Sequence, residues 1–428
     1  MKALRWYFIV IAHLIPVLSS LAQIPQLVMD INVGNEGSSP REPFVFQNKL
    51  YFVANDGING RELWQSDGTP EGTRMLKNIN PTGNSAPSAL TEFNGKIFFT
   101  ATEPEHGIEL WLTDGTESGT LMLKDIDTTA STGPTGLTVF KGMLYFAADD
   151  GTHGSELWIS DGTESGTRLF KDINPNSGSI PHSFFEFNDK LYFVANDGLH
   201  GEELWVCDGT ATGTTMLIDI NPNGHSHTAF PAFVKFRDEF YFQAKDGEDE
   251  VELWATDGTE VGTRLVKNIN PDGSSYAGYP FFKLYRDKLY FTASDGTNGS
   301  ELWFTDGTEQ GTQMLKNVNS TGSASPLGLI GFKDWLFFGA NDGIHGIEVW
   351  ITDGSEGGTR MLADLNPDGD ALDTEPYFTI YHDKLYFAAN DGMNGVNLWE
   401  SDGTPNGTKS LAPDSHNPAA SSVGNLIE

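Results

Sequence analysis

The chain has 428 residues with 26 Lys+Arg against 59 Asp+Glu, a formal net charge of −33 and a pI near 4.4. That balance disfavours nucleic acid and anionic membrane surfaces as partners, because both demand a basic face. Hydrophobic residues at 38% exclude wholesale disorder, and 48 Gly with 21 Pro point to a turn-rich β protein rather than long helices.

In chain order, residues 1–5 form a basic segment, Trp6 to Leu18 an apolar run, and Ser20-Leu21-Ala22 a small-residue cleavage site. Residues 1–22 therefore read as a signal peptide with Gln23 as the mature start, which predicts a secreted or cell-surface protein with no membrane insertion after signal removal. Cys207 is the only cysteine and cannot form an internal disulfide; it reads as a small filler.

From there an internal repeat organises the chain. ELWQSDGTPEGT begins at Glu62, and variants follow from Glu109, Glu156, Glu203, Glu252, Glu301, Glu348 and Asn397. The tryptophans Trp64, Trp111, Trp158, Trp205, Trp254, Trp303, Trp350 and Trp399 are spaced by 47, 47, 47, 49, 49, 47 and 49 residues. Each unit reads as four short strands. The first ends in an aromatic such as Phe93 or Phe187 and meets a two-residue turn (Asn94-Gly95, Asn188-Asp189, His382-Asp383) whose residues tolerate positive φ. The second is of the KLYFVAND type, apolar on both faces; the third carries ELW; the fourth is of the MLKNIN type, reached through the DGTxxGT turn.

A strand apolar on both faces must be covered on both sides. With no helical period in the sequence, the covers must be neighbouring copies. The expectation is an all-β fold: a β-propeller of eight four-stranded antiparallel blades, one per repeat, in a single domain over residues 23–428. Residues 27–32 (LVMDIN) read as a lone fourth strand that closes the last blade. Residues 421–428 read as the start of a further first strand.

The pattern resembles the ELWxxDGT repeat of exported bacterial proteins, many of them large surface or secreted products of Bacteroidota. The resemblance covers residues 27–428, with Asn397, Val349, Ser355 and Glu103-Pro104 as departures. It implies an extracellular propeller-like module and no particular reaction.

The repeated polar residues read as architecture. The Asp of DGT is expected to cap neighbouring N–H groups rather than bind calcium. The ELW Glu, present in seven units, is expected to build each blade, since a catalytic carboxylate needs to exist only once. His106, His153, His200 and His345 share one hairpin position with Asn59, Asn298 and Asn394, and are read as left-handed turn residues rather than metal ligands.

The non-repeating chemistry lies in the loops from strand four to the next strand one, where all the two-residue expansions fall. His182, His225, His227, Tyr276 and Tyr279 are the candidate ligand-binding residues, suited to stacking on sugar or to a protein hot spot. Asp368, Asp370, Asp373 and Glu375 form the candidate calcium cluster; no other cofactor is indicated. No nucleophile elbow, phosphate loop or HExxH is present, so the leading reading is a non-enzymatic binding, adhesion or scaffold module for extracellular glycan or protein. The alternatives are a carbohydrate-active hydrolase or lyase using loop acids such as Asp370 or Asp373 with His225, and a structural segment of a longer surface protein.

Overall fold

The computed structural model describes residues 27–34, 37–128, 133–226, 232–247, 250–278, 282–373 and 376–411. Residues 1–22 and 421–428, together with His227, Tyr279 and Glu375, lie outside them.

Among the described residues every regular element is a strand, and the strands form eight separate four-stranded antiparallel sheets, each a simple meander within one repeat. The chain is thus all-β, with eight β-propeller blades spanning residues 41–77, 88–124, 135–171, 182–218, 234–267, 282–316, 327–363 and 379–410. In blade four, for example, the strands are His182–Phe187, Lys190–Asn196, Glu202–Cys207 and Thr214–Ile218. The first hairpin turns as the dipeptides require: Asn94 and Gly95 have φ of 50° and 71°, Asn188 and Asp189 47° and 60°. A bulge interrupts the first strand of several blades, as between His182 and Phe185.

The chain divides into two compact units, residues 1–216 and 217–428. Within each, blades stack face to face, and this stacking is the core. In the first unit, Tyr145, Leu157 and Ile159 of blade three meet Leu191, Phe193, Ala195 and Trp205 of blade four. In the second, Tyr290 and Leu302 of blade six meet Leu336, Phe338 and Trp350 of blade seven. The second strand is apolar on both faces because each face has such a neighbour: in blade three, Leu144 and Phe146 pack with Phe98 and Leu110 of blade two, while Tyr145 packs with Leu191 and Phe193 of blade four. Polar latches join blades as well. Lys77 and Lys124 of strand four donate to the Thr120 and Thr167 carbonyls of the following blade at 2.8 and 2.7 Å.

The lone-strand expectation for residues 27–32 is corrected. The segment forms no strand, and blade eight takes its fourth strand from its own repeat, Lys409–Ser410. A lone segment brings no ELW strand of its own with which to ladder. It nonetheless occupies the strand-four end position beside blade one: Ile31 packs on Phe52, Ala54 and Trp64, and Asn32 abuts Gly57 as Asn174 abuts Gly198.

Candidate functional site

Meander topology sorts the connections of each blade. The turn between strands one and two and the DGTxxGT turn share one end; the hairpin between strands two and three shares the other with the loop from strand four to the next strand one. The candidate site residues belong to the second end.

The DGT turn closes on itself. Asp161 Oδ1 accepts from Thr163 N and Oγ1 at 2.8 and 2.6 Å, and Thr163 Oγ1 accepts from Gly166 N at 3.0 Å. A Cβ on Gly166 would lie 2.0 Å from Asp161 Oδ1, which is why glycine stands there. The hydrogen bonds hold the Asp161 carboxyl below the usual carboxylate range. Cys207 fits the same frame: fully buried, its Sγ accepts from Gly209 N at 3.3 Å, as Ser160 Oγ does from Gly162 N at 3.0 Å.

The ELW glutamate ties strand three to the loop after strand four. Glu156, fully buried, accepts from Ile173 N, Asn174 N, Ser179 N and Ser179 Oγ at 2.8, 3.1, 3.0 and 2.6 Å. Burial still pushes these carboxyls up, against the hydrogen bonds that pull them down. Glu348, whose counterpart of Ser179 is Ala371, and Glu109 are both pushed up to about 7. A carboxyl whose folded pKa exceeds its ordinary 4.5 stabilises the fold fully below that value, and the contribution is lost as pH rises through about 7. The melting temperature of the chain from Gln23 onward is therefore expected to fall between about pH 5 and pH 8, and Glu109→Gln to flatten part of that fall. A melting temperature that rises steadily over the same range would contradict this.

The hairpin histidines occupy their position for a reason other than backbone handedness. None has positive φ; each offers its ring Nδ1 to the acid three residues earlier. His153 meets Asp150 Oδ2 at 2.8 Å, His200 meets Asp197 Oδ2 at 2.7 Å, His345 meets Asp342 Oδ2 at 2.7 Å, and His106 meets Glu103. Asn59 does the same through Nδ2, to Asp56 Oδ2 at 2.7 Å. The acid in turn caps the hairpin, Asp150 Oδ1 accepting from Thr152 N and His153 N, both at 2.9 Å.

The non-repeating loop residues fare differently from one another. His182, half-buried at the start of its strand, has its Nδ1 at 3.0 Å from Ser183 Oγ, and burial holds its pKa down. His225 is exposed, and its carbonyl accepts from Asn221 Nδ2 at 3.0 Å. Tyr276 is 58% exposed at φ 51°, with its N–H on the Val251 carbonyl at 3.2 Å. Ala86, Ile180 and Ser325 occupy the same left-handed loop position, so the tyrosine ring is displayed on a frame common to several blades. His182 belongs to the first unit, and His225 and Tyr276 to the second.

Of the acidic cluster, Asp370 has a structural task. Its Oδ1 accepts from Ile347 N at 2.7 Å, the bond that Ser274 Oγ and Ser323 Oγ make to Val251 N and Ser300 N. Asp368 and Asp373 are exposed. Among the described residues no three His, Cys, Asp or Glu side chains are grouped to hold a metal.

No family model matches the chain, and no curated protein matches it. Among solved structures it is similar to a puromycin hydrolase (TM-score 0.39, 13% identity, 90% of this chain and 55% of that one). It is likewise similar to prolyl endopeptidases (TM-score 0.43, 13% identity, 82% and 54%). A third is the β-propeller domain of the trilobed protease from Pyrococcus furiosus (TM-score 0.34, 13% identity, 78% and 99%). The chain spans about half the length of the first two.

Proposed function

We propose that the chain is a secreted or cell-surface binding or scaffold module of the ELWxxDGT-repeat kind, without catalytic activity, that takes an extracellular glycan or protein on the loops joining strand four to strand one. One contrast supports this reading. The repeated groups that could do chemistry, such as Glu156, Asp161 and His153, are committed to bonds inside their own blade, whereas Tyr276 is exposed to solvent on a backbone tied to the Val251 carbonyl. A stiff, exposed aromatic contributes contact area at small entropic cost, as glycan stacking and protein hot spots require.

The test is retention of the mature chain, from Gln23 onward, on a panel of immobilised polysaccharides beside Tyr276→Ala and His225→Ala. Tyr276→Ala is expected to weaken retention about tenfold on the best ligand, the loss of one anchoring aromatic. Retention unchanged by both substitutions would overturn the placement of the site on these loops.

A further inference from the structure

The hairpin residue is matched, blade by blade, to a second residue 19 positions later, at the end of strand four. In blades one and six both are asparagine: Asn59 with Asn78, Asn298 with Asn317. In blades two, three, four and seven the pair is histidine with aspartate: His106 with Asp125, His153 with Asp172, His200 with Asp219, His345 with Asp364. No mixed pair occurs among these six blades.

Hydrogen-bond polarity accounts for the matching. In the asparagine blades, Nδ2 of the hairpin residue is spent on the capping aspartate, so Oδ1 is left as an acceptor. It receives Nδ2 of the strand-four asparagine, at 2.9 Å from Asn78 to Asn59 and 2.8 Å from Asn317 to Asn298. In the histidine blades Nδ1 is spent on the capping acid; in blade two His106 Nε2 lies 3.9 Å from Asp125 Oδ2, and Asp172, Asp219 and Asp364 hold the same position, 19 residues after the histidine, in blades three, four and seven. A carboxylate only accepts, so that contact is attractive only when Nε2 carries a proton, which makes the ring an imidazolium. A neutral ring that keeps its Nδ1–H bond turns a lone pair toward the carboxylate. An asparagine opposite aspartate, or a neutral histidine opposite aspartate, sets acceptor against acceptor.

We propose that His106, His153 and His345 are protonation-dependent clasps that hold the hairpin between strands two and three to the end of strand four, opening as pH rises, while the asparagine clasps of blades one and six stay shut at every pH. The charged groups that act on each ring are all acidic: the bonded capping acid first, then Asp172 and Glu156 for His153, Asp125 and Glu105 for His106, and Asp364 and Glu348 for His345. They raise the imidazole pKa above its ordinary 6.5. The sign follows: a raised folded pKa gives a contribution that is full below 6.5 and lost as pH rises through the folded value. The loop end of blades two, three and seven is thereby tightest in mildly acid surroundings.

The test uses the mature chain with its histidine Cε1–H signals followed by NMR, and amide exchange, corrected for intrinsic rate, measured on the hairpins of blades one and three. His153 is expected to titrate above 6.5. Asp172→Asn should move its midpoint down, and the blade-three hairpin of the wild type should lose protection about tenfold between pH 5.5 and pH 8.5 while blade one stays within about twofold. His153→Asn alone sets Asn Oδ1 against Asp172 and is expected to loosen that hairpin at both pH values. His153→Asn with Asp172→Asn recreates the blade-one pair and should restore protection with no pH dependence. A His153 midpoint at or below 6.5 that Asp172→Asn does not move would overturn the clasp, as would a double variant no better protected than His153→Asn.

Discussion

Trp205→Ala is expected to lower unfolding stability by about 3–5 kcal/mol, the cost of emptying a buried aromatic site that cannot collapse. Trp205 is 7% exposed, stacks on Phe193 with centroids 6.4 Å apart, and packs with Tyr145, Leu157 and Ile159 of the preceding blade. Its indole N–H also donates to the Ala195 carbonyl at 3.1 Å, so the substitution removes a buried hydrogen bond along with the packing. Urea denaturation of the variant beside the wild type reads the effect directly. A loss below about 1 kcal/mol would mean that the blade-to-blade interface is not the core.

Glu156→Ala is expected to cost a similar amount, about 3–5 kcal/mol, by a different route. The glutamate is the acceptor for three backbone N–H groups and one hydroxyl, none of which has water to turn to once the carboxylate is gone. Each buried donor left unmet costs roughly 1–3 kcal/mol, offset in part where the loop can relax outward. Glu164→Ala is the control: this side chain is exposed in the DGT turn of the same blade, and its removal should stay within about 0.5 kcal/mol. Equal, small effects at both positions would contradict the role of the ELW glutamate as the tie between strand three and the following loop.

The blade pattern was legible because its signals repeat. A strand such as Lys190–Asn196, apolar on both faces, demands two covers, and in-register copies are the only candidates once helices are absent. The roles of Asp161 and Glu156 were legible for the same reason, since a group present in nearly every copy serves what every copy shares. Other features depend on relations between columns of the repeat. That His153 stands where it does to donate to Asp150, and not to adopt a left-handed backbone, is invisible in a single column. Reading the column 19 residues later would have exposed it, because Asn59 with Asn78 and His153 with Asp172 are matched in donor and acceptor. Asp370 carries a task that its spacing among other acids did not show: alignment against Ser274 and Ser323 identifies the backbone cap that it makes to Ile347. Residues 27–32 kept the packing of a strand-four end without its ladder, since hydrophobic pattern reports burial and not a pairing partner.

The central claim is that the repeated acids and imidazoles are committed to architecture, leaving the loop ends to bind rather than to react. Incubating the mature chain with soluble extracellular polysaccharides, with bound protein and released reducing ends measured in the same wells, tests it most directly. The account predicts retention on at least one polysaccharide with no release of reducing ends. Release of reducing ends that is lost on substitution of a loop acid such as Asp373 would contradict it and make the chain an enzyme.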